Sequence, residues 1–215
     1  MKMDIFRCNC TDGTESGITD DQFDTIMSEL HSGKMVVYPT ETVYGLGADP
    51  FDEAAVKRVF MAKRRPFDMP LTIAVSNVRM IDELAIMDDR TRRLAEKFLP
   101  GPLTLLLQKR SVIPDIVTAA QDEVGIRVPS HPFALRLIDE FGPLISTSAN
   151  LHSRPNPTTV EATIKDLGNS VSVYVDCGPS PLGKPSTIIQ LIEGELEVIR
   201  VGAIPIEDIE AVLNG

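Results

Sequence analysis

The most unusual chemistry-bearing run is Lys63-Arg64-Arg65-Pro66, three consecutive cations in a 215-residue chain with 21 Lys+Arg against 31 Asp+Glu and a formal net charge of −10. Cations near a helix C-terminus are favoured by about 0.3–1 kcal/mol, so a structural reading is open. The functional reading is a polyanion site, with Lys63 as a mobile point charge and Arg65 as a bidentate fork. A second candidate is Ser146-Thr147-Ser148-Ala149-Asn150, which follows the apolar run Pro143–Ile145. Small hydroxyl and amide residues at a strand end either bind a ligand's polar edges or close a hydrogen-bonded turn. The third is Tyr38-Pro-Thr-Glu-Thr-Val-Tyr-Gly-Leu-Gly47, whose glycines let backbone approach a ligand closely or serve a tight loop.

Two arginines pose a sharper question. Arg127 in Gly-Ile-Arg-Val-Pro and Arg200 in Val-Ile-Arg-Val-Gly lie in apolar runs, where an unpaired guanidinium is costly. Each must meet a structural carboxylate or an anionic ligand. Ser186-Thr187 opens another apolar run and can be merely a strand edge.

The elements that must position these residues read as an irregular alternation. Helices are expected over Thr19–Ser32 (capped by Thr19 or Asp20), Asp52–Arg64, Met87–Phe98, Pro132–Glu140 (capped by Ser130), Thr159–Leu167 and Ile206–Leu213. Strands are expected over 35–38, 71–75, 103–107, 125–128, 144–146, 171–175, 187–191 and 197–201. This order predicts an α/β or α+β domain with a mixed sheet rather than a strict βαβ repeat. With no repeat, linker or low-complexity block, residues 1–215 are expected to form a single domain.

Composition and motif context exclude several classes. Hydrophobic residues make up 43% and charged residues 24%, values for a folded globular chain rather than a disordered one. No apolar run approaches the ~18–20 residues of a membrane span. The first 30 residues hold five Asp and two Glu, unlike a signal or transit peptide, so a soluble cytoplasmic protein is expected. The acidic balance argues against a general nucleic-acid-coating role. Three cysteines (Cys8, Cys10, Cys177) do not make a disulfide framework, and with three scattered histidines they supply no metal spacing. Gly178-Pro-Ser-Pro-Leu-Gly-Lys184 has P-loop spacing, but Pro185 replaces the Ser/Thr and prolines 179 and 181 remove phosphate-facing N–H groups.

Taken in order, these segments resemble the YrdC/YciO family of threonylcarbamoyl-AMP synthases from about Gly33 to Ile204, through eight motifs. They are YPTETVYGLG at 38–47, K-x-R-P at 63–66, Pro70-Leu71, PGPLT at 100–104, GIRVPSHP at 125–132, S-x-N at 148–150, Ser186-Thr187 and R-x-GAI at 200–204. The resemblance implies a twisted, mixed, largely antiparallel sheet flanked by helices around a large positively charged cleft. It implies synthesis of threonylcarbamoyl-adenylate and pyrophosphate from L-threonine, bicarbonate and ATP, with Mg2+ carried on the nucleotide. A separate transferase complex would then modify tRNA.

By the same resemblance Lys63 and Arg65 are catalytic and, with Ser146, Ser148, Asn150, Asn156 and Arg200, hold the nucleotide. Thr42, Arg127 and Ser186 hold threonine; no protein-bound metal is implied. The resemblance is to the form without an extra C-terminal domain. Two positions depart from it: many members carry a histidine where Ala74 stands, in contact with threonine, and Ser-Gly near His152-Ser153-Arg154, where Arg154 reads as solvated. The alternatives are a tRNA- or double-stranded-RNA-binding module, with weak RNA binding through the basic cleft, and a carbamoyl-adenylate-forming paralogue. The paralogue's acylphosphatase and zinc-finger segments are not found in this sequence.

Overall fold

The structure is a computed structural model that describes residues 3–11 and 14–215. In chain order it runs β1 (Asp4–Arg7), β2 (Asn9–Thr11), β3 (Thr14–Ser16), α1 (Asp20–His31), β4 (Val36–Tyr38), β5 (Gly45–Gly47) and α2 (Glu53–Lys63). It continues through β6 (Thr72–Ala74), α3 (Val78–Leu84), β7 (Ala85–Ile86), α4 (Asp89–Phe98), β8 (Leu103–Lys109), α5 (Asp115–Thr118) and β9 (Glu123–Arg127). The remainder holds α6 (Pro132–Phe141), β10 (Leu144–Ile145), β11 (Thr147–Ser148), α7 (Val160–Leu167), β12 (Val173–Asp176), β13 (Thr187–Ile192), β14 (Glu195–Arg200) and α8 (Ile206–Asn214).

Helices start where a short polar side chain can take an orphan N–H group. Thr19, not Asp20, caps α1: its hydroxyl accepts from Gln22 N–H, and the Gln22 side chain accepts from Thr19 N–H, a reciprocal capping box. Asp52, Asp88 and Thr159 cap α2, α4 and α7, their side chains accepting from the N–H groups of Ala54, Thr91 and Ala162. The cap expected at Ser130 is absent. The helix starts one residue later: His131 occupies the N-cap of α6 with no side-chain hydrogen bond, and Pro132 supplies a helix-ready φ in the first turn.

The mixed pairing expected from the strand pattern is present in two main sheets, with β2 and β3 forming a separate two-stranded pair among the described residues. The smaller has the order β1-β12-β4-β5-β11; the larger runs β10-β6-β9-β8-β13-β14, with β7 also on β8. Both mix parallel and antiparallel neighbours: β12 is parallel to β4, and β4 antiparallel to β5; β6 is parallel to β9, and β9 antiparallel to β8. The chain crosses between sheets at Ser146. Leu144-Ile145 pairs with β6, and Thr147-Ser148 pairs with β5. No helix among the described residues is long and apolar enough to cross a membrane.

The core is continuous between the sheets and the helices flanking them, with a second cluster around Phe23, Ile26, Tyr38 and Phe133. Tyr38 fixes the packing of β4 on β5. Its fully buried ring lies over Gly45 and Gly47, where a Cβ would sit 3.0 Å from ring carbons. That contact explains two glycines in a strand better than flexibility does. Gly45→Ala is expected to destabilise the protein by about 1–3 kcal/mol through overpacking. Urea unfolding measures this, and an unchanged midpoint would mean that the ring has room to move.

Candidate active site

Where the two sheets meet, a cavity of about 190 Å³ opens to solvent. The smaller sheet contributes Thr40, Thr42, Tyr44 and Gly45 from the β4–β5 connection, and the larger contributes Thr72, Thr104 and Arg127. Ser146 and Ser148 come from the crossing point, Ser186 from just before β13 and Arg200 from the end of β14. Arg65 and Asn156 complete the wall, and no acidic residue among the described residues lines it.

Of the two partners that its sequence context allowed, Arg127 meets the structural carboxylate. Its Nη2 donates to Glu41 Oε1 at 2.6 Å, and Nη1 to Thr42 Oγ1 at 2.9 Å. Glu41 Oε2 accepts the Ser130 N–H at 3.1 Å, so its carboxylate is held from both sides. The structural carboxylate therefore exists, yet Arg127 Nε is buried without a hydrogen-bond partner. Thr42 Oγ1 in turn lies 2.9 Å from Thr40 Oγ1, which donates to Val43 O, closing the turn that presents both threonines.

Arg200 meets no carboxylate. Its Nε and Nη2 donate to Ser186 O, and Nη2 also to Ser186 Oγ at 3.1 Å, which lies 2.7 Å from Thr104 Oγ1. Arg65 is fixed by the carbonyls of Met69 and Pro70. Burial, joined at Arg200 by the Arg127 charge, weakens the hold of both guanidiniums on their protons. An incoming anion would relieve that repulsion.

Lys63 and Asn150 stand behind the cavity rather than in its wall. Arg64 adopts a left-handed conformation (φ 50°) at the end of α2, which reverses the chain between Lys63 and Arg65. Lys63 is buried, and its Nζ donates to the carbonyls of Ser148 and Asn150 and to Asn150 Oδ1. Burial first, then the Arg65 charge, pushes its pKa down to about 7. Asn150 also accepts from Ser148 Oγ at 2.6 Å and donates through Nδ2 to Arg154 O. Lys63 thus holds the backbone of the Ser148–Asn150 turn, a positioning contact joined to its charge.

A family model described as Telomere recombination, that of the Sua5/YciO/YrdC proteins, matches residues 28–202. The chain belongs to the Sua5/YciO/YrdC family. A Pyrococcus abyssi relative named threonylcarbamoyl-AMP synthase is 41% identical over 187 residues, covering 86% of this chain and 55% of the relative. A Methanocaldococcus jannaschii protein named putative threonylcarbamoyl-AMP synthase is 40% identical over 182 residues, covering 85% and 86%. The crystal structure of P. abyssi Sua5 complexed with L-threonine superposes with a TM-score of 0.90 at 36% identity, over 99% of this chain and 61% of that one. This chain therefore spans little more than half the length of the Pyrococcus relative.

Set in the family fold, several sequence expectations change. Ala74 is fully buried beside Tyr38 and Leu144 in the second core cluster and does not line the cavity. Arg154 is half exposed but ion-paired, Nη1 to Asp166 Oδ1 at 3.1 Å, rather than simply solvated. Cys8 and Cys177, expected to be unpaired, are joined as a disulfide; the Cys10 side chain lies outside the described set. Tyr38, Thr40, Glu41 and Tyr44 lie in the candidate run 38–47, but the sequence assigns them no individual role. The available signal was Glu41 itself, the only charged residue between Lys34 and Asp49.

Removing one partner of a buried ion pair leaves the other charge uncompensated. Glu41→Ala should therefore cost about 3–5 kcal/mol in urea unfolding, more than Glu41→Gln, which keeps the shape and one acceptor. Equal losses in both variants would show that the pair's charge is not what matters.

Proposed function

We propose that this protein is a threonylcarbamoyl-AMP synthase, joining L-threonine, bicarbonate and ATP into threonylcarbamoyl-adenylate with release of pyrophosphate. The observation that carries the reading is the buried, unpartnered Nε of Arg127 in a cavity walled by two further arginines and by hydroxyls, with no acid. Such a wall suits a carboxylate and phosphates. The relatives' printed names and the threonine complex of P. abyssi Sua5 support the same reading.

In the proposed reaction the threonine amine and bicarbonate form a carbamate, with loss of water. A carbamate oxygen then attacks the α-phosphorus of ATP; an O–P bond forms, and the bond to the leaving pyrophosphate breaks. Two anions must meet, so the protein's work is positioning and charge stabilisation. Arg127, set by Glu41 and Thr42, takes the threonine carboxylate, with Ser186 beside it. Lys63 and Arg65 offset charge on the phosphates; Ser146, Ser148, Asn150, Asn156 and Arg200 hold the nucleotide. Magnesium would arrive with the nucleotide, carried by phosphate oxygens and water. The described residues include no cluster of acids, histidines and cysteines that could hold a metal ion, and the cavity wall offers no carboxylate. The product would pass to a transferase acting on tRNA. Residues 1–215 would act as a single catalytic domain in the cytoplasm.

Pyrophosphate release that depends on threonine and bicarbonate should fall about 100- to 1,000-fold in Arg65→Ala, with the unfolding midpoint kept. Unaltered turnover would remove Arg65 from the reaction. Lys63 predicts a pH dependence: protonated below about 7 and neutral above it, it attracts the nucleotide more strongly at lower pH. ATP affinity measured calorimetrically should weaken as pH rises through 7 to 8 and flatten in Lys63→Met; the same slope in both proteins would assign it to another group.

A further inference from the structure

β1 is the outer strand of the smaller sheet and is paired in parallel with β12 from Asp4↔Val173 to Arg7↔Asp176. One residue beyond that ladder, Cys8 and Cys177 are joined with a Cα–Cα distance of 4.7 Å, across 169 positions of sequence. That spacing lies inside the roughly 4.4–6.8 Å in which a disulfide forms without backbone movement. Both residues are half-buried. Cys177 also lines a second cavity of about 300 Å³, with Glu41, His131 and Ser180, so a small molecule can reach its side of the bridge.

The segment that follows Cys177 is tied to the active site. The Cys177 N–H donates to Tyr44 Oη at 3.2 Å, and that hydroxyl donates to Gly178 O at 2.6 Å. Leu182 N–H donates to Glu41 O at 2.9 Å. Tyr44 lines the active-site cavity, and Glu41 holds Arg127. A covalent event at Cys177 therefore bears on two residues of the site without entering it.

We propose that Cys8 and Cys177 form a reversible oxidation site that sets how firmly the 177–183 segment holds Tyr44 and Glu41. The oxidant is a small-molecule disulfide of the glutathione class. The Cys177 thiolate attacks one of its sulfurs and releases one thiol; Cys8 then attacks the mixed disulfide and releases the second. Two protein thiols and one external disulfide become one protein disulfide and two external thiols, so electrons and protons balance. The attacking sulfur is the one with access, as thiol–disulfide exchange requires. Reduction frees β1 from its covalent tie to β12 and loosens the segment beyond it. The bond does not depend on the function proposed above; only its effect on threonine binding rests on that reading.

The test equilibrates the full chain across a series of reduced-to-oxidised glutathione ratios. Each sample is read by thiol labelling with peptide mass spectrometry, melting temperature, and hydrogen exchange of segments 40–45 and 177–183. Oxidation should remove two of the three labelable thiols together and yield a linked Cys8–Cys177 peptide pair. It should raise the melting temperature by on the order of 10 °C and slow exchange in both segments. Threonine should bind about fivefold or more tightly in the oxidised state. Cys8→Ser should exchange in both segments as the reduced wild type does, at every ratio. Thiols that stay labelable at the most oxidising ratio overturn the proposal, as does a bond that forms while exchange in both segments stays unchanged. Bond formation and slowed exchange without threonine binding in either state would leave the oxidation site standing and overturn the threonine reading instead.

Discussion

A guanidinium buried between two sheets has to be answered, and the Arg127–Glu41 pair is the answer on which the site depends. Arg127 leaves the end of β9 in the larger sheet, and Glu41 sits in the β4–β5 connection of the smaller; both side chains are more than nine-tenths buried. Such pairs add little net stability, because desolvation offsets their attraction. Their effect is on geometry. With Nη2 on Glu41 and Nη1 on Thr42, the guanidinium has one orientation, and Nε is left over. A buried unpaired donor costs about 1–3 kcal/mol, so the pair joins the sheets at a local cost.

The opposite wall is built by a different constraint. At Ser146 the chain changes sheets, and its backbone N–H donates to Thr72 O of the larger sheet while its hydroxyl takes the Tyr38 proton from the smaller. Two residues later the ladder gives way to the Ser148–Asn150 turn, whose carbonyls point at Lys63. An ammonium in that position is a second donor to the Ser148 carbonyl, which also accepts the Asn150 N–H, and a donor to the Asn150 carbonyl. Burial works against its charge at the same time, and the balance leaves Lys63 near neutrality's edge at physiological pH. A group so poised responds to a nearby phosphate more than a solvated lysine can.

Helices with a capping residue and an apolar stripe, such as α1, α2 and α7, were legible because both signals are local. What was not legible depends on the third dimension. β5 is Gly45-Leu46-Gly47, which has no strand signature; the glycines are there for the Tyr38 ring, seven and nine residues upstream. The Ser130 cap failed because α6 starts one residue later, with His131 at the N-cap and Pro132 in the first turn. The residues that line the cavity were largely readable as types: arginines in apolar strands and hydroxyls at strand ends. Their roles relative to one another were not. Lys63 and Arg65 are two apart in sequence, and the left-handed Arg64 sends one behind the wall and the other into it. The Cys8–Cys177 contact joins positions 169 apart, a pairing that only the parallel β1–β12 register creates.

Charge is where average and local descriptions part most clearly. A net charge of −10 would repel any polyanion at long range. Screening ends that repulsion within about 8–10 Å at physiological ionic strength. Inside the cavity the field comes from Arg65, Arg127 and Arg200, with no acid in the wall and the one nearby carboxylate, Glu41, already paired. Duplex RNA reads a protein through cations spread along an extended face, each contacting a phosphate. Three guanidiniums converging on about 190 Å³ cannot follow a backbone, but they can enclose a small carboxylate and neutralise a few phosphates at its mouth.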